Sequence, residues 1–257
     1  MERPCLHRTK DVKGFVITMS GNPDSVRIVE SLEKSIRATS TELSLERFEA
    51  VVPKTDQGGT SITHAMFEVF GKSVRWTWPT VDGETFICFR TRMLQKQYPA
   101  LDQNRVKACA LSHFSLWKKC VDLDEPIVIL EHDAHFTRKF NPDDYAGAED
   151  FGVIGLNDPR GNTRKGQKFH SMVSASEGIH PAPEIDDHSE FPLPAGIAGN
   201  SAYIIRPYAA KELLEKTLEV GMWPNDAIMC RQLFPWVRVV YPYYTNVQEG
   251  TSTTTKL

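Results

Sequence analysis

Residues 14–51 pass from a short apolar run through one helical repeat to a second apolar run, and this order restricts the chain more than any other feature. Gly14-Phe15-Val16-Ile17-Thr18-Met19 is closed by Ser20-Gly21-Asn22-Pro23, the pattern of a buried strand followed by a turn. Val26, Val29, Leu32 and Ile36 then recur at helical spacing behind Asp24 or Ser25 as N-cap, as far as the polar Thr39-Ser40-Thr41. Leu43 to Val51 reads as a second strand. Strand, helix and strand within about 40 residues make a βαβ unit, which requires a parallel pair with a helix packed on it. The predicted fold class is therefore α/β, with a mostly parallel central sheet flanked by helices.

The next stretch, residues 52–103, is broken by Gly58-Gly59, Gly71, Pro79 and Gly83 into short aromatic-rich pieces such as Val74-Arg75-Trp76-Thr77-Trp78, and no element is assigned there. From Asn104 the pattern sharpens: Ala110, Phe114, Trp117 and Val121 share one face of a helix that must end before Pro126. Ile127-Val128-Ile129-Leu130 follows as a buried strand, and Glu131-His132-Asp133 stands where a parallel strand delivers side chains to the carboxyl edge of its sheet. Phe151–Leu156 and Gly199–Arg206 are strand-like, Pro207 suits the first turn of a helix over Tyr208–Val220, a further helix is predicted from Asp226 to Phe234, and Val237–Tyr241 is the last strand. Between them, the 39 residues from Asn157 to Ala195 are rich in Gly, Pro, His and charge. That length points to a lid or an acceptor-binding loop. With no internal repeat and no domain boundary, residues 1–257 read as a single domain ending in the polar tail Thr251-Ser252-Thr253-Thr254-Thr255.

Composition removes several classes. A chain of 257 residues with 40% hydrophobic and 25% charged residues is neither disordered nor a disulfide scaffold. A net charge of -3 provides no global positive field for nucleic acid, so DNA or RNA would need a local patch. Cys5, Cys88, Cys109, Cys120 and Cys230 are scattered, with no C-x-x-C pair, as expected of reduced thiols. The N-terminus lacks the apolar region of a signal peptide, and no stretch approaches the roughly 18 apolar residues of a membrane span. A soluble, cytoplasmic protein is expected, of a bacterium or of a phage-infected host.

Chemistry concentrates at Leu130-Glu131-His132-Asp133-Ala134. Side chains alternate along extended chain, so Glu131 and Asp133 point to the same side and can reach one divalent cation. A hard ion such as Mn²⁺ or Mg²⁺ held there can neutralise the charge that develops on a departing nucleoside diphosphate. An exposed acidic pair with no ligand is the competing reading. Elsewhere, Asp226 begins a helix and suits either an N-cap or a general base. Of Ser112 and His113, neighbours on a helix about 100° apart, at most one can face the site. Asn157-Asp158 closes a strand as a turn or as a sugar contact, and Arg160, Arg164, Lys165 and Lys168 form a basic run that is either a solvated face or a closure over diphosphate. His170, His180 and His188 are too far apart for a metal motif, though one of them can complete a metal shell.

The block Ala108-Cys109-Ala110-Leu111-Ser112-His113, Trp117-Lys118-Lys119 and Pro126 to Ala134 resembles glycosyltransferase family 25, which includes lipopolysaccharide-sugar transferases and collagen galactosyltransferases. The opening strand Phe15-Val16-Ile17-Thr18, the strand end Arg47-Phe48-Glu49-Ala50-Val51, and Gly199-Asn200-Ser201-Ala202-Tyr203-Ile204, Ala210-Lys211-Glu212-Leu213-Leu214 and Asn225-Asp226 are similar to family segments. The resemblance covers most of the chain and is thin over residues 52–103 and 157–195. It implies a GT-A fold, a nucleoside diphosphate-sugar donor with a UDP-sugar foremost, a divalent metal on Glu131 and Asp133, and transfer with inversion. By the same resemblance Thr18, Ser112, His113, Glu131, Asp133 and Asn157 surround the donor, and Asp226 is the catalytic base. His132 stands where the family usually has an acid; it is either a spectator turned into the core or a shift of metal preference towards borderline ions. The implied acceptor is a lipopolysaccharide or related glycan. Two alternatives are a phage enzyme glycosylating hydroxymethylated pyrimidines in DNA, with Trp76 and Trp78 handling the extruded base, and a non-catalytic nucleotide-sugar-binding module.

Overall fold

The structure is a computed structural model that describes residues 12–53, 59–100, 102–146, 151–160, 165–184 and 190–248. Strand β1 (Lys13–Thr18) leads to helix α1 (Pro23–Ala38) and strand β2 (Ser44–Glu49). The N-cap of α1 is Asn22 rather than Asp24 or Ser25: its carboxamide oxygen accepts both of their backbone N–H groups, and Pro23 occupies the first helical position. The run read as one strand to Val51 is interrupted at Ala50, and Val51–Val52 pair separately with Thr60–Ser61.

Helix α2 (Gln103–Leu123) feeds β3 (Ile127–Glu131), followed by β4 (Val153–Gly155), β5 (Gly178–Pro181), β6 (Ala202–Ile205), helix α3 (Pro207–Val220), the short helix α4 (Asn225–Ile228) and β7 (Val237–Tyr241). Seven strands form one sheet in the order β5-β7-β4-β6-β3-β1-β2. The α/β class holds, with a mixed sheet. β1 lies parallel to β2 and β3, and β7 parallel to β4, whereas β6 is antiparallel to both β3 and β4, and β5 to β7. The reversal follows from the path of the chain. β4 ends at the carboxyl edge of β3, and β6 starts from that same edge, so it must run back between them.

Each face of the sheet carries its own core. Phe15, Ile127, Ile129, Tyr203 and Ile205 face α2 and α3, through Leu111, Phe114, Trp117 and Leu213. Val16, Val128, Leu130 and Ile204 face α1, through Val29, Leu32 and Ile36. The alternation along β1, β3 and β6 therefore decides which helix each side chain meets.

Two expectations change. The described part of the 157–195 segment contains a helix, Gly166–Val173, whose Phe169 and Val173 enter the core, and the edge strand β5. The helix expected over Asp226–Phe234 stops at Ile228, because Cys230 pairs across to Gly196 and Leu233 and Phe234 turn back onto the Cys230 carbonyl. The N-terminal eleven residues with Cys5, the tail Thr251–Thr255, Arg164 and His188 lie outside the described residues. Among the described residues Cys88, Cys109, Cys120 and Cys230 are free thiols, and no helix is long and apolar enough to cross a membrane.

Candidate active site

Glu131 is the last residue of β3, and its backbone N–H donates to Ser201 O at 2.7 Å. Its carboxylate faces α2, where His113 Nε2 lies 3.2 Å from Oε1. His113 is fully buried, and its Nδ1 is 2.8 Å from Tyr203 Oη, which also accepts the Trp117 indole N–H at 2.9 Å. One assignment of protons satisfies the chain: Trp117 donates to Tyr203, the Tyr203 hydroxyl to His113 Nδ1, and His113 Nε2–H to Glu131. The ring is then fixed in one orientation. Helix spacing puts His113 and Trp117 four residues apart on one face, which is why a single helix supplies both. His113, rather than Ser112, is the member of the pair that faces the acid.

Removing this ring should be costly. His113→Ala leaves the buried Tyr203 hydroxyl without an acceptor and opens a cavity, and is expected to lower stability by about 2–4 kcal/mol. Urea unfolding of the variant beside the wild type checks this, and an unchanged midpoint would contradict the bonding chain.

His132 points the other way. Its Nδ1 is 3.2 Å from Ser25 Oγ, which also accepts the Met19 N–H at 3.1 Å. Burial lowers its pKa against the opposing pull of Glu131. It is therefore neither turned idly into the core nor beside the acids as a ligand, but ties the acidic turn to the first turn of α1.

Asp133 is half-buried, and its Oδ1, itself buried, has no hydrogen-bond partner. Burial first, and then the charge of Glu131, push its carboxyl up to about 7. Gln248 braces the turn, its backbone N–H donating to Asp133 O at 2.9 Å and its side-chain amide to Ala134 O at 3.2 Å. A buried carboxylate oxygen without a donor, pressed by a second carboxylate, is an arrangement that a cation relieves. The residues present thus fit a hard divalent ion on oxygen ligands. Cys109 Sγ, His113 Nε2 and a Glu131 oxygen also lie within 4.8 Å of one another. Burial, together with Glu131, Asp226 and Asp133, pushes the Cys109 thiol well up, and the His113 nitrogen is already turned on Glu131, so this trio offers a cation few free ligand atoms as it stands.

Asp226 sits in the first turn of α4, whose N-cap is Pro224 with no side-chain cap bond. The N-cap role is therefore not the one the structure gives it. Its Oδ1 accepts the Tyr98 hydroxyl at 3.0 Å. Desolvation raises its pKa and Glu131 adds to the rise, while the Tyr98 bond and His113 oppose it. Glu131 and His113 thus lie close enough to act on the Asp226 carboxyl. Gly196 packs directly on the backbone of Asp226, since a Cβ there would stand 1.7 Å from Asp226 O. Tyr98 comes from the stretch in which the sequence marks no element, and no motif announces it.

The other sequence-selected groups are bonded within the fold. Thr18 ends β1 with its hydroxyl donating to Val16 O at 3.2 Å. Ser112 donates to Ala108 O at 3.0 Å and accepts the Val51 N–H at 2.9 Å, facing that strand instead of Glu131. The Asn157 amide donates to Asp158 O and accepts from Thr245 Oγ1, and Asp158 holds Arg160 through a forked ion pair. His170 lies 3.4 Å from Tyr243 Oη and His180 bonds Ser176 O, so neither joins the acids. Trp78 is buried, its indole bonded to Lys96 O and packed on Trp223 and Tyr98, which rules it out as a surface for an extruded base.

The family described as glycosyltransferase family 25 (LPS biosynthesis protein) matches residues 25–229, most of the chain. The chain belongs to that family and is a glycosyltransferase, which sets aside the non-catalytic reading. No curated protein sequence matches it. Among solved structures, the galactosyltransferase LgtC in complex with donor and acceptor sugar analogues is similar over 88% of this chain and 72% of its own, with 11% identity and a TM-score of 0.38. Mouse xyloside xylosyltransferase 1 is similar over 90% of this chain and 85% of its own (8% identity, TM-score 0.42). A glycosyltransferase involved in glycosylation of the major capsid of PBCV-1 is similar over 94% of both chains (9% identity, TM-score 0.35). These likenesses are too loose to carry residue roles or substrates.

Proposed function

We propose that the protein transfers a sugar, with inversion, from a nucleoside diphosphate-sugar to a glycan hydroxyl, using Glu131 and Asp133 to hold a divalent ion and Asp226 as base. The observation that supports this most is the buried Asp133 Oδ1, without a hydrogen-bond partner and beside the charge of Glu131 at the carboxyl edge of β3. When bound, Mn²⁺ or Mg²⁺ supplies positive charge for the departing diphosphate.

The chain's own residues do the rest. His113, locked by Tyr203 and Trp117, holds the Glu131 carboxylate in one orientation. Asp226, with its pKa raised by burial and its Oδ1 steered by Tyr98, takes the proton of the acceptor hydroxyl as that oxygen bonds to the anomeric carbon. The bond from the anomeric carbon to the diphosphate oxygen breaks on the opposite side, and its electron pair leaves with the nucleoside diphosphate. A UDP-sugar is the expected donor, and a lipopolysaccharide-type glycan, from the description of the family, the expected acceptor.

The test is release of nucleoside diphosphate from a panel of UDP-, GDP- and TDP-sugars, with Mn²⁺, Mg²⁺ or EDTA, in the presence of lipopolysaccharide-derived oligosaccharides. Metal-dependent turnover of one donor, with a product of inverted anomeric configuration, is the expected result. Equal turnover in EDTA, or retention, contradicts the proposal.

A further inference from the structure

Within the stretch where the sequence marks no element, Thr85–Ile87 pairs antiparallel with Leu94–Lys96 as a hairpin. All three residues of its first strand are exposed, Phe86 at 45% and Ile87 at 48%, and at the tip Phe89 is 94% exposed. The tip is nevertheless held in place. Cys88 N–H donates to Met93 O and Arg92 N–H to Cys88 O, both at 2.8 Å, and the Met93 side chain is buried. The root is fixed as well, since Leu94 N–H donates to Pro192 O and the Trp78 indole N–H to Lys96 O. A bonded frame thus holds three apolar side chains out in water, and an exposed apolar cluster of this kind marks a contact surface.

Charge accompanies the cluster. Residues 85–96 contain Arg90, Arg92 and Lys96 and no carboxylate, and all three cations are exposed. Asp82 and Glu84 lie at the root, where the Asp82 carboxylate and the Glu84 carbonyl are bonded to Gln97. Glu190 is 3.7 Å from Arg92 in a pair exposed on both sides, and Glu219 is held low by its hydrogen bond from Lys216 and then by the charge of Arg90. Exposed pairs of this kind are weak and leave the arginines able to exchange partners. Apolar side chains at a tip with cations around them match the interface of an anionic bilayer, where rings enter the acyl boundary and guanidinium groups stay with the phosphates. A protein partner fits less well. The tip offers apolar area on the order of 400 Å², whereas each side of a stable protein interface buries about 800 Å². A projecting ring also needs a matching pocket in a protein, but none in a fluid bilayer.

We infer that Phe86, Ile87 and Phe89 dock the protein on an anionic lipid surface, with Arg90, Arg92 and Lys96 on the headgroup phosphates. Lys96 is two residues from Tyr98, whose hydroxyl bonds Asp226, so the docking hairpin is continuous with the residue that steers the proposed base. That continuity suits an acceptor glycan carried on a lipid. This consequence rests on the proposed reaction, and the docking does not.

The experiment sediments the full chain with vesicles of phosphatidylcholine, alone or mixed with phosphatidylglycerol, in the absence of nucleotide and metal, so that its outcome is independent of the reaction. The wild type is expected on the phosphatidylglycerol vesicles only, and is expected to leave them as salt is raised. Phe89→Ser is expected to weaken binding at least about tenfold through the lost apolar contact, and Arg90→Gln about fivefold, as for one cation near an anionic surface. Met172→Ser, at a side chain 49% exposed on the helix Gly166–Val173, is expected to bind as the wild type does. Melting temperatures stay unchanged, because every substituted side chain is exposed. Binding to neither vesicle, equal binding to both, full binding by Phe89→Ser, or an equal loss in Met172→Ser overturns the proposal. So does a dimer in sedimentation velocity that Phe89→Ser abolishes, since the tip is then an interface between copies of the chain.

Discussion

Replacing Asp133 with asparagine is expected to abolish metal-dependent donor binding while making the metal-free protein more stable above pH 7. The first effect follows from removing one of two oxygen ligands. Changes outside a metal's ligand shell typically cost ~10–100-fold in affinity or activity, so losing a ligand itself is expected to cost at least ~100-fold. The second effect follows from the unpartnered Oδ1, since a neutral amide in the same place removes a buried charge that the metal-free fold does not compensate. The sign with pH is fixed by the raised carboxyl of Asp133. Between its unfolded value near 4 and its folded value of about 7, the folded chain holds more protons than the unfolded chain, so stability declines as pH rises through that window. Asparagine cannot titrate, and that decline should be absent from the variant. Melting temperatures of both proteins in EDTA from pH 4 to pH 8 check this, and parallel curves would contradict it.

Asp226→Asn should separate chemistry from binding. The amide keeps an acceptor for the Tyr98 hydroxyl, so the fold and the donor pocket are expected to persist. It cannot take a proton, and kcat is expected to fall by ~10²- to 10⁴-fold with donor affinity unchanged. Tyr98→Phe is the companion variant, because it leaves the carboxylate in place and removes only its steering bond. A milder loss of kcat is expected there. If Asp226→Asn instead loses stability and donor affinity together, the residue is structural and the base lies elsewhere.

The legible part of this molecule is the part written in periodicity. The continuous apolar runs of β1 and β3 and the helical spacing of α1 and α2 leave one arrangement, a βαβ unit with Glu131-His132-Asp133 at its carboxyl edge. Apolar runs do not encode strand direction, so the reversal of β6 between β3 and β4 was not legible, although its residues were. The end of the helix beginning at Asn225 was set by a long-range pairing of Cys230 with Gly196, which no local pattern records. Strand alternation separated the acids from His132, yet the partner of that histidine, Ser25, lies 107 residues away in sequence. Tyr98 emerges from a stretch without period, and its contact with Asp226 spans 128 residues.

Whether the acidic turn after β3 holds a divalent ion for a nucleoside diphosphate is decided by calorimetric titration with UDP in Mn²⁺ and then in EDTA. Binding is expected in Mn²⁺, with little or none in EDTA and loss of the Mn²⁺-dependent part in both Glu131→Gln and Asp133→Asn. Equal binding in Mn²⁺ and EDTA, or full Mn²⁺-dependent binding in the two variants, would contradict it.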